Sequence, residues 1–482
     1  MEREHVAAIT ELAESAVAEW YNDVVQRAQL ADYSPVRGCM VIRPYAYSVW
    51  ESIQRWLDDR LKETGHQNAY FPLFIPQSFI QREKDHIEGF APHLAIVTHG
   101  GGEELAEPLV VRPTSETIIY DAYARWVQSY RDLPLLINQW ANVVRWEIRT
   151  RLFLRTMEFL WQEGHTAHAT VEEAVAEARL ILSLYVRLIE GQLAIPVLQG
   201  RKSAKERFAG ARDTYTVESL MRDGRALQMG TSHDLGQNFS KAFEVWFLDR
   251  DGERRQPWST SWAVTTRLIG ALVLAHGDSK GLLLPPRVAP TQVVIVPIYR
   301  SDEQRSAVLA KVAEIVAELR AAGVRVQVDS REEVTPGFKY NDWEMRGVPV
   351  RLELGPRDLA AGQVVVARRD MAEKQPLPVA ELPVRVPELL EQMQAALFQR
   401  ALAFRESHTF TAARLSDLAV LDEQPGFYRM NWCGSGDCED RLGEYKATIR
   451  CIPLDDEAAQ STGDCAVCGQ AGQHMVYVAK AY

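Results

Sequence analysis

Asn142-Val-Val-Arg145-Trp146-Glu147 is followed eight positions later by Arg155-Thr156-Met-Glu-Phe159, with Arg149 and Arg151 between them. The apolar run before Arg145 predicts a strand, and in an extended strand residues i and i+2 project from one face. Arg145 and Glu147 therefore reach toward one pocket, the guanidinium as a planar fork suited to phosphate and carboxylate oxygens. A strand, a cationic loop and a returning strand with four arginines can hold a nucleoside triphosphate without a P-loop. An ordinary charged surface hairpin would read the same way, so the choice rests on the remaining chain.

Gly65-His-Gln-Asn-Ala-Tyr-Phe-Pro72-Leu-Phe-Ile-Pro76 comes before this hairpin, and Ser261-Trp-Ala-Val-Thr-Thr-Arg267-Leu-Ile-Gly270 comes after it. Three further segments join them: Arg112-Pro-Thr114-Ser115-Glu116, Phe159-Leu-Trp161-Gln-Glu163-Gly-His165 and Gly230-Thr231-Ser-His233. In this order the segments resemble motifs 1, 2 and 3 of the class II aminoacyl-tRNA synthetases. The last three narrow the resemblance to the prolyl-tRNA synthetases, in their archaeal and eukaryote-like form, over nearly the whole chain.

At 482 residues the chain is long enough for two to four domains. Hydrophobic content of 46% and charged content of 25% are those of a soluble globular protein. No apolar run approaches the roughly 18–20 residues of a membrane helix. The start, Met1-Glu-Arg-Glu-His, lacks the order of a secretory signal, so a cytoplasmic enzyme is expected. A net charge of −11 argues against a polycation that coats nucleic acid, yet a local basic stripe suffices for a tRNA. Arg145 to Arg155 is one such stripe, while Arg201-Lys-Ser-Ala-Lys-Glu-Arg207 reads as a solvated, salt-laced face.

Apolar spacing predicts a helix over 5–30 and another over Tyr47–Glu63 that ends at Gly65. A hairpin is expected over 93–112 with its turn at Gly100-Gly-Gly102, then a helix over 172–192 and strands through about 266. Mixed, mainly antiparallel strands flanked by helices fit an α+β catalytic domain over 1–285. Beyond the linker Leu284-Pro-Pro-Arg-Val-Ala-Pro290, alternating strands and helices predict an α/β domain over 290–400. This unit resembles the anticodon-binding domain of several class II synthetases. A small α+β domain bearing cysteines is expected over 405–482. Cys433-(x4)-Cys438 and Cys465-Ala-Val-Cys468 form two chelating loops, the pattern of a closed, structural four-thiolate Zn2+ site. Cys451 is a fifth thiol able to compete, and the tight pairing favours the other four. Cys39 reads as a small, buried or half-buried apolar residue.

The resemblance implies further roles. Arg145 contacts the α-phosphate of ATP and the carboxylate of L-proline, with Glu147 beside it. Arg267 takes the γ-phosphate of a bent ATP that carries Mg2+, and Arg155 with Thr156 completes the phosphate and adenine side. Gln228, Thr231 and Thr265 fall around the ribose and phosphates. Thr114 and Glu116 hold the imino group, Trp161 and Phe208 wall the ring, and Glu163 with His233 gives polar positioning. Met229 and Ala263 depart from the smaller residues of the family and are expected to crowd the pocket floor. Motif 1 implies a homodimer, and Tyr482 resembles a terminal tyrosine that packs near the active site.

In the second domain, Thr335-Pro-Gly337 starts a helix with Tyr340 and Glu344 at i and i+4, suited to unstacked bases. With Arg357 these are the expected readers of the tRNA-Pro anticodon. Phe159 and Ser261 are 102 positions apart, which leaves no room for an inserted editing domain. Misactivation of alanine or cysteine is the expected result, because missing methylenes carry little discrimination. Two rivals stand beside this reading. A threonine-like class II enzyme would need a Cys/His metal set between 110 and 270. A non-catalytic tRNA-binding paralogue should have lost Arg145, Glu116 or Arg267.

Overall fold

Val17, Tyr21, Val24 and Val25 recur at helical spacing and bury one face of the Glu14–Arg27 helix. The expected earlier turns of this helix lie outside the residues described by the computed structural model, which are 14–80, 82 and 94–482. The Pro44–Glu63 helix starts on a proline and ends just before Gly65. Ala95–Gly100 and Glu103–Val111 pair antiparallel about a turn at Gly101-Gly102, as expected.

One sheet of eleven strands organises the molecule. From one edge its central and far strands are Leu198–Arg201, Asp213–Leu220, Ala226–Gly236, Trp258–Thr265, Glu158–His168, Leu135–Val144 and Gln67–Asn68. Neighbours run antiparallel except at the Gln67–Asn68 edge and between Thr409–Thr411 and Phe427–Trp432. The Val171–Gly191 helix covers the back. It is capped by Thr170 and Glu173 in a reciprocal box, and its Ile181, Tyr185 and Leu188 are buried.

The sheet does not stop at the cysteine-bearing segment. Thr409–Thr411, Phe427–Trp432, His474–Ala479 and Thr448–Pro453 continue it, through pairing of Ile452 with Arg201 and Pro453 with Gly200. A buried ionic cluster crosses that seam. Lys202 Nζ donates to Glu218 Oε1 at 2.7 Å, and Arg450 donates to Glu218 Oε2 at 2.9 and 3.1 Å. Burial pushes the Glu218 carboxyl up, but Arg450 and Lys202 outweigh it and hold the group below its usual range. The solvated reading of 201–207 is therefore corrected at Lys202, which is buried because the C-terminal strands cover it.

A second sheet has the order Val326–Val328, Val293–Pro297, Val350–Leu354, Gln363–Arg368 and Lys374–Pro378, with its first two pairings parallel. The Asp302–Ala321 and Pro336–Met345 helices connect the parallel strands. The sequence reading had no counterpart for Lys374–Pro378 or for the Leu382–Ser407 helix, which carries Pro383 in its first turn and Pro387 further in. That helix runs back against the catalytic unit, and Gln394 donates to the carbonyls of Gly191 and Gln192.

Gly164 shows how tightly the main sheet is packed. A Cβ there would lie 1.9 Å from the buried indole of Trp262, its direct cross-strand neighbour. Gly164→Ala is expected to destabilise the fold by about 1–3 kcal/mol through overpacking. Urea unfolding should show a lower midpoint with an unchanged slope. A midpoint equal to that of the unmodified chain would contradict this packing.

Candidate active site

Strand register builds the site. His165 pairs with Ser261, and Ser261 pairs in turn with His233 on the next strand. One row further along, Gln139, Glu163, Ala263 and Thr231 stand side by side. Trp161 and Thr265 make a third row. Side chains two apart on a strand share a face, so these rows tile one wall. Every residue expected to bind proline or ATP borders the same cavity of about 820 Å3 above that wall, from Thr114 to Arg267. Tyr482 borders it too, with Arg151 and Arg225 at 5.6 and 5.8 Å from its ring and its hydroxyl donating to Asp223.

At the centre, Arg145 donates from Nε to the Pro113 carbonyl at 3.0 Å and lies 5.4 and 5.5 Å from the rings of Phe159 and Trp161. Burial lowers its pKa, while the charges of Glu116, Glu163 and Glu147 work against that. Arg267, on the first turn of the Arg267–His276 helix, donates to the carbonyls of Leu154 and Gln228 at 3.1 and 3.3 Å. Burial, and then repulsion from Arg145, take it down to about 10. Arg155 Nε donates to Glu147 at 2.9 Å, and Thr156 is buried with its hydroxyl on the Glu158 carbonyl.

Glu116 opens the Glu116–Trp126 helix and accepts from Thr114 Oγ1. Glu163 is more fully engaged than the sequence suggested. Its Oε1 accepts from Ser115 at 2.5 Å and Gln139 at 2.7 Å, and its Oε2 meets His165 Nε2 at 3.0 Å. Ser115, Gln139 and His165 are thus parts of the site that the sequence reading left without a role. Alternation along the Leu135–Val144 and Glu158–His168 strands is the signal for Gln139 and His165. Arg112 is fully buried and donates to the Phe71 and Asn142 carbonyls at 2.7 and 2.8 Å, which locks the Thr114–Glu116 loop against its neighbours. Of the two departures, Ala263 stands between Glu163 and Thr231, and Met229 is buried in the main core while bordering the cavity.

His233 stacks on Phe208 with ring centroids 4.5 Å apart, and its Nδ1 meets Thr214 Oγ1 at 2.9 Å. Burial, opposed by Glu116 and reinforced by His165 and Arg145, lowers its pKa from 6.5 to about 4. His165 behaves in the opposite sense: burial lowers it, but its bond to Glu163 and the charge of Glu116 carry it above the ordinary value.

Away from the cavity, the four sulfurs of Cys433, Cys438, Cys465 and Cys468 lie within 4.8 Å of one another, with two separations of 3.6 and 3.8 Å. A tetrahedral zinc with bonds of about 2.3 Å needs sulfurs about 3.8 Å apart, so the donor set fits. Burial raises Cys465, but backbone N–H groups of Cys468, Val467 and Cys433 outweigh it and bring the thiol to about 7. Cys451 is buried in the Thr448–Pro453 strand, outside this cluster. On the second sheet, Arg351 joins the two expected helix residues. It lies 4.2 Å from the Tyr340 ring and donates to Glu344 at 3.2 Å, while Arg357 is exposed nearby on the Pro356–Ala360 helix.

Comparison with known proteins agrees with this architecture. Residues 99–276 match the tRNA synthetase class II core domain (G, H, P, S and T), and 292–389 match the anticodon binding domain. Together these are the units of a class II aminoacyl-tRNA synthetase. Residues 418–482 match the prolyl-tRNA synthetase C-terminal model. The chain is 55% identical over 472 residues to the proline–tRNA ligase of Chloroherpeton thalassium, across 96% of this chain and 98% of the relative. It is 52% identical over 484 residues to proline–tRNA ligase 2 of Bacillus cereus, across 100% of both chains. With the proline–tRNA ligase of Roseiflexus sp. it shares 54% identity over 471 residues, across 96% of this chain and 97% of the relative. The chain belongs to the prolyl-tRNA synthetase family.

The His233 environment makes a direct prediction. With a folded pKa of about 4 against 6.5 for the free group, the ring stays neutral through the physiological range. Its contribution to stability is then lost as pH falls from about 6.5 toward 4 and is constant above that window. The His233 ring resonances, assigned by loss in His233→Gln, should not move between pH 5.5 and 8. Titration near 6.5 would contradict the burial described.

Proposed function

We propose that this chain activates L-proline with ATP and transfers it to the 3′ end of tRNA-Pro. The observation that carries the reading is the enclosure of Arg145, Arg267 and Glu116 in one cavity, in a member of this family. In the first step a proline carboxylate oxygen attacks the α-phosphorus, the bond to the β-phosphate oxygen breaks, and pyrophosphate leaves. In the second, the terminal tRNA hydroxyl attacks the adenylate carbonyl, and AMP leaves. Two anions must approach each other, so orientation and fixed positive charge supply most of the catalysis. Arg145 serves the α-phosphate and the proline carboxylate, with Glu147, and Arg267 serves the far phosphate. Arg155, Thr156, Gln228, Thr231 and Thr265 complete the ATP side, with Mg2+ arriving as the companion of ATP. Thr114 and Glu116 take the imino group, Trp161 and Phe208 the ring, and Glu163 and His233 its polar flank. The neutrality of His233 suits it to lie against an apolar ring.

Tyr340, Glu344 and Arg357 are read as contacts to the anticodon, and residues 1–285, 290–400 and 405–482 as the three functional units. A homodimer and a cytoplasmic setting complete the reading, and among the described residues no helix is long and apolar enough to cross a membrane. A structural zinc held by Cys433, Cys438, Cys465 and Cys468 would clamp the C-terminal unit. A threonine-like enzyme is disfavoured because, among the described residues, these four cysteines are the one group with metal-ligand spacing. A non-catalytic paralogue is disfavoured by the retention of Arg145, Glu116 and Arg267 in the cavity. The segment between Phe159 and Ser261 is filled by elements of the main sheet and its covering helix, which supports the form without an editing insertion.

Proline should drive ATP–pyrophosphate exchange above all other amino acids, and Arg267→Ala should reduce it by about 10²–10³ while the thermal melt is retained. Near-normal exchange in that variant would remove Arg267 from the mechanism. Elemental analysis should find one zinc per chain, and Cys433→Ser should lose it. Because thiolate zinc sites can supply about 10–16 kcal/mol in small domains, the C-terminal unit should then become sensitive to protease. Full zinc content after Cys465→Ser with Cys468→Ser would contradict the ligand set.

A further inference from the structure

Four buried polar atoms on residues that border the cavity have no hydrogen-bond partner among the described residues: Trp161 Nε1, Trp262 Nε1, His165 Nδ1 and Ser261 Oγ. The indole nitrogens can only donate, so His165 and Ser261 alone offer an acceptor. The two residues are direct cross-strand partners, and both border the cavity. Neither atom is accounted for by the roles given above. His165 uses its other ring nitrogen on Glu163, at 3.0 Å. His233, on the far side of Ser261, has its Nδ1 on Thr214 and its ring on Phe208. Ala263, the next pocket-facing residue along the same strand, brings no polar side-chain atom. Among these lining residues, the unmatched polarity able to accept a hydrogen bond is therefore at the His165–Ser261 pair. Buried groups of this kind are nearly always hydrogen-bonded, and leaving them unmatched is costly.

We propose that His165 and Ser261 form a one-oxygen subsite in the proline pocket, which takes the hydroxyl of a ring-hydroxylated imino acid and holds a water oxygen when proline itself binds. The inference rests on the reading of this cavity as a proline pocket. A neutral His165 that donates from Nε2 to Glu163 leaves Nδ1 as an acceptor, while the Ser261 hydroxyl can donate or accept. An incoming O–H can then donate to the ring and accept from the serine at once. If the ring is protonated, Nδ1 donates and the same oxygen accepts. Either state suits a hydroxyl, and neither suits a methyl group. A methyl placed there would displace the water and leave both atoms unmatched, which should lower kcat/KM by about 10–100-fold relative to the hydroxyl.

The test is ATP–pyrophosphate exchange by the full chain with L-proline, both 4-hydroxyproline epimers and the matching 4-methylprolines. At least one hydroxylated epimer should exceed its methyl counterpart by about 10-fold or more in kcat/KM. Ser261→Ala should bring that ratio within about 3-fold of unity. A crystal structure with proline separates the two sources of the oxygen, and should show an ordered water bonded to both His165 Nδ1 and Ser261 Oγ. Equal treatment of hydroxyl and methyl by the unmodified chain overturns the subsite without any variant, as does a ratio unchanged in Ser261→Ala. Failure of L-proline itself to support exchange would instead overturn the reading of the pocket.

Discussion

Arg145 and Arg267 are two guanidinium groups brought into one cavity at the cost of burial, and the rest of the site answers to that constraint. Arg267 is lowered to about 10 by burial and by its like-charged neighbour Arg145, yet it remains a cation at neutral pH. Among the described residues it is held by two backbone carbonyls rather than by a carboxylate. Arg145 is partly balanced by Glu116, Glu163 and Glu147, and is fixed by the Pro113 carbonyl. In a medium poorer than water such charges are expensive to hold apart from anions. A cavity built this way favours ligands that bring their own negative charge, such as a nucleoside triphosphate and a carboxylate.

What keeps the guanidinium groups in place is sheet register rather than local loop structure. Arg145 follows the Leu135–Val144 strand, and the Glu158–His168 strand returns Phe159 and Trp161 to its side. The Trp258–Thr265 strand then delivers Arg267 on the helix that follows. The cysteine-bearing unit belongs to this scaffold. Its strands extend the same sheet, and Arg450 reaches Glu218 beside Lys202 in a buried cluster. Removing one member of such a cluster leaves an unmatched buried charge, so the cysteine-bearing unit and the main sheet are stabilised together.

Much of this was legible in the chain because the signals are local. Period-two spacing places Arg145 with Glu147 on one face, while Trp161 and Glu163 come only from the family resemblance. The cysteine spacing singled out four thiols that the fold gathers within 4.8 Å. The helix positions of Tyr340 and Glu344 followed from i and i+4 spacing, but their shared partner Arg351 comes from a strand. Long-range register was not legible. Nothing near Lys202 signals that a strand more than two hundred residues later will cover it, and so a basic run read as solvated. The Leu382–Ser407 helix tolerates Pro383 in its first turn, where a missing N–H costs least, and also carries Pro387 inside it. The ties of Glu163 to Ser115 and Gln139 likewise depend on three separate segments meeting.

The central claim is that one cavity binds proline and ATP side by side around Arg145 and Arg267. Calorimetric titration with a non-hydrolysable prolyl-adenylate analogue tests it most directly. One site per chain, with binding weakened by saturating ATP and also by saturating proline, is the predicted result. Binding that neither ligand displaces, or displacement by one of them alone, would contradict a shared cavity.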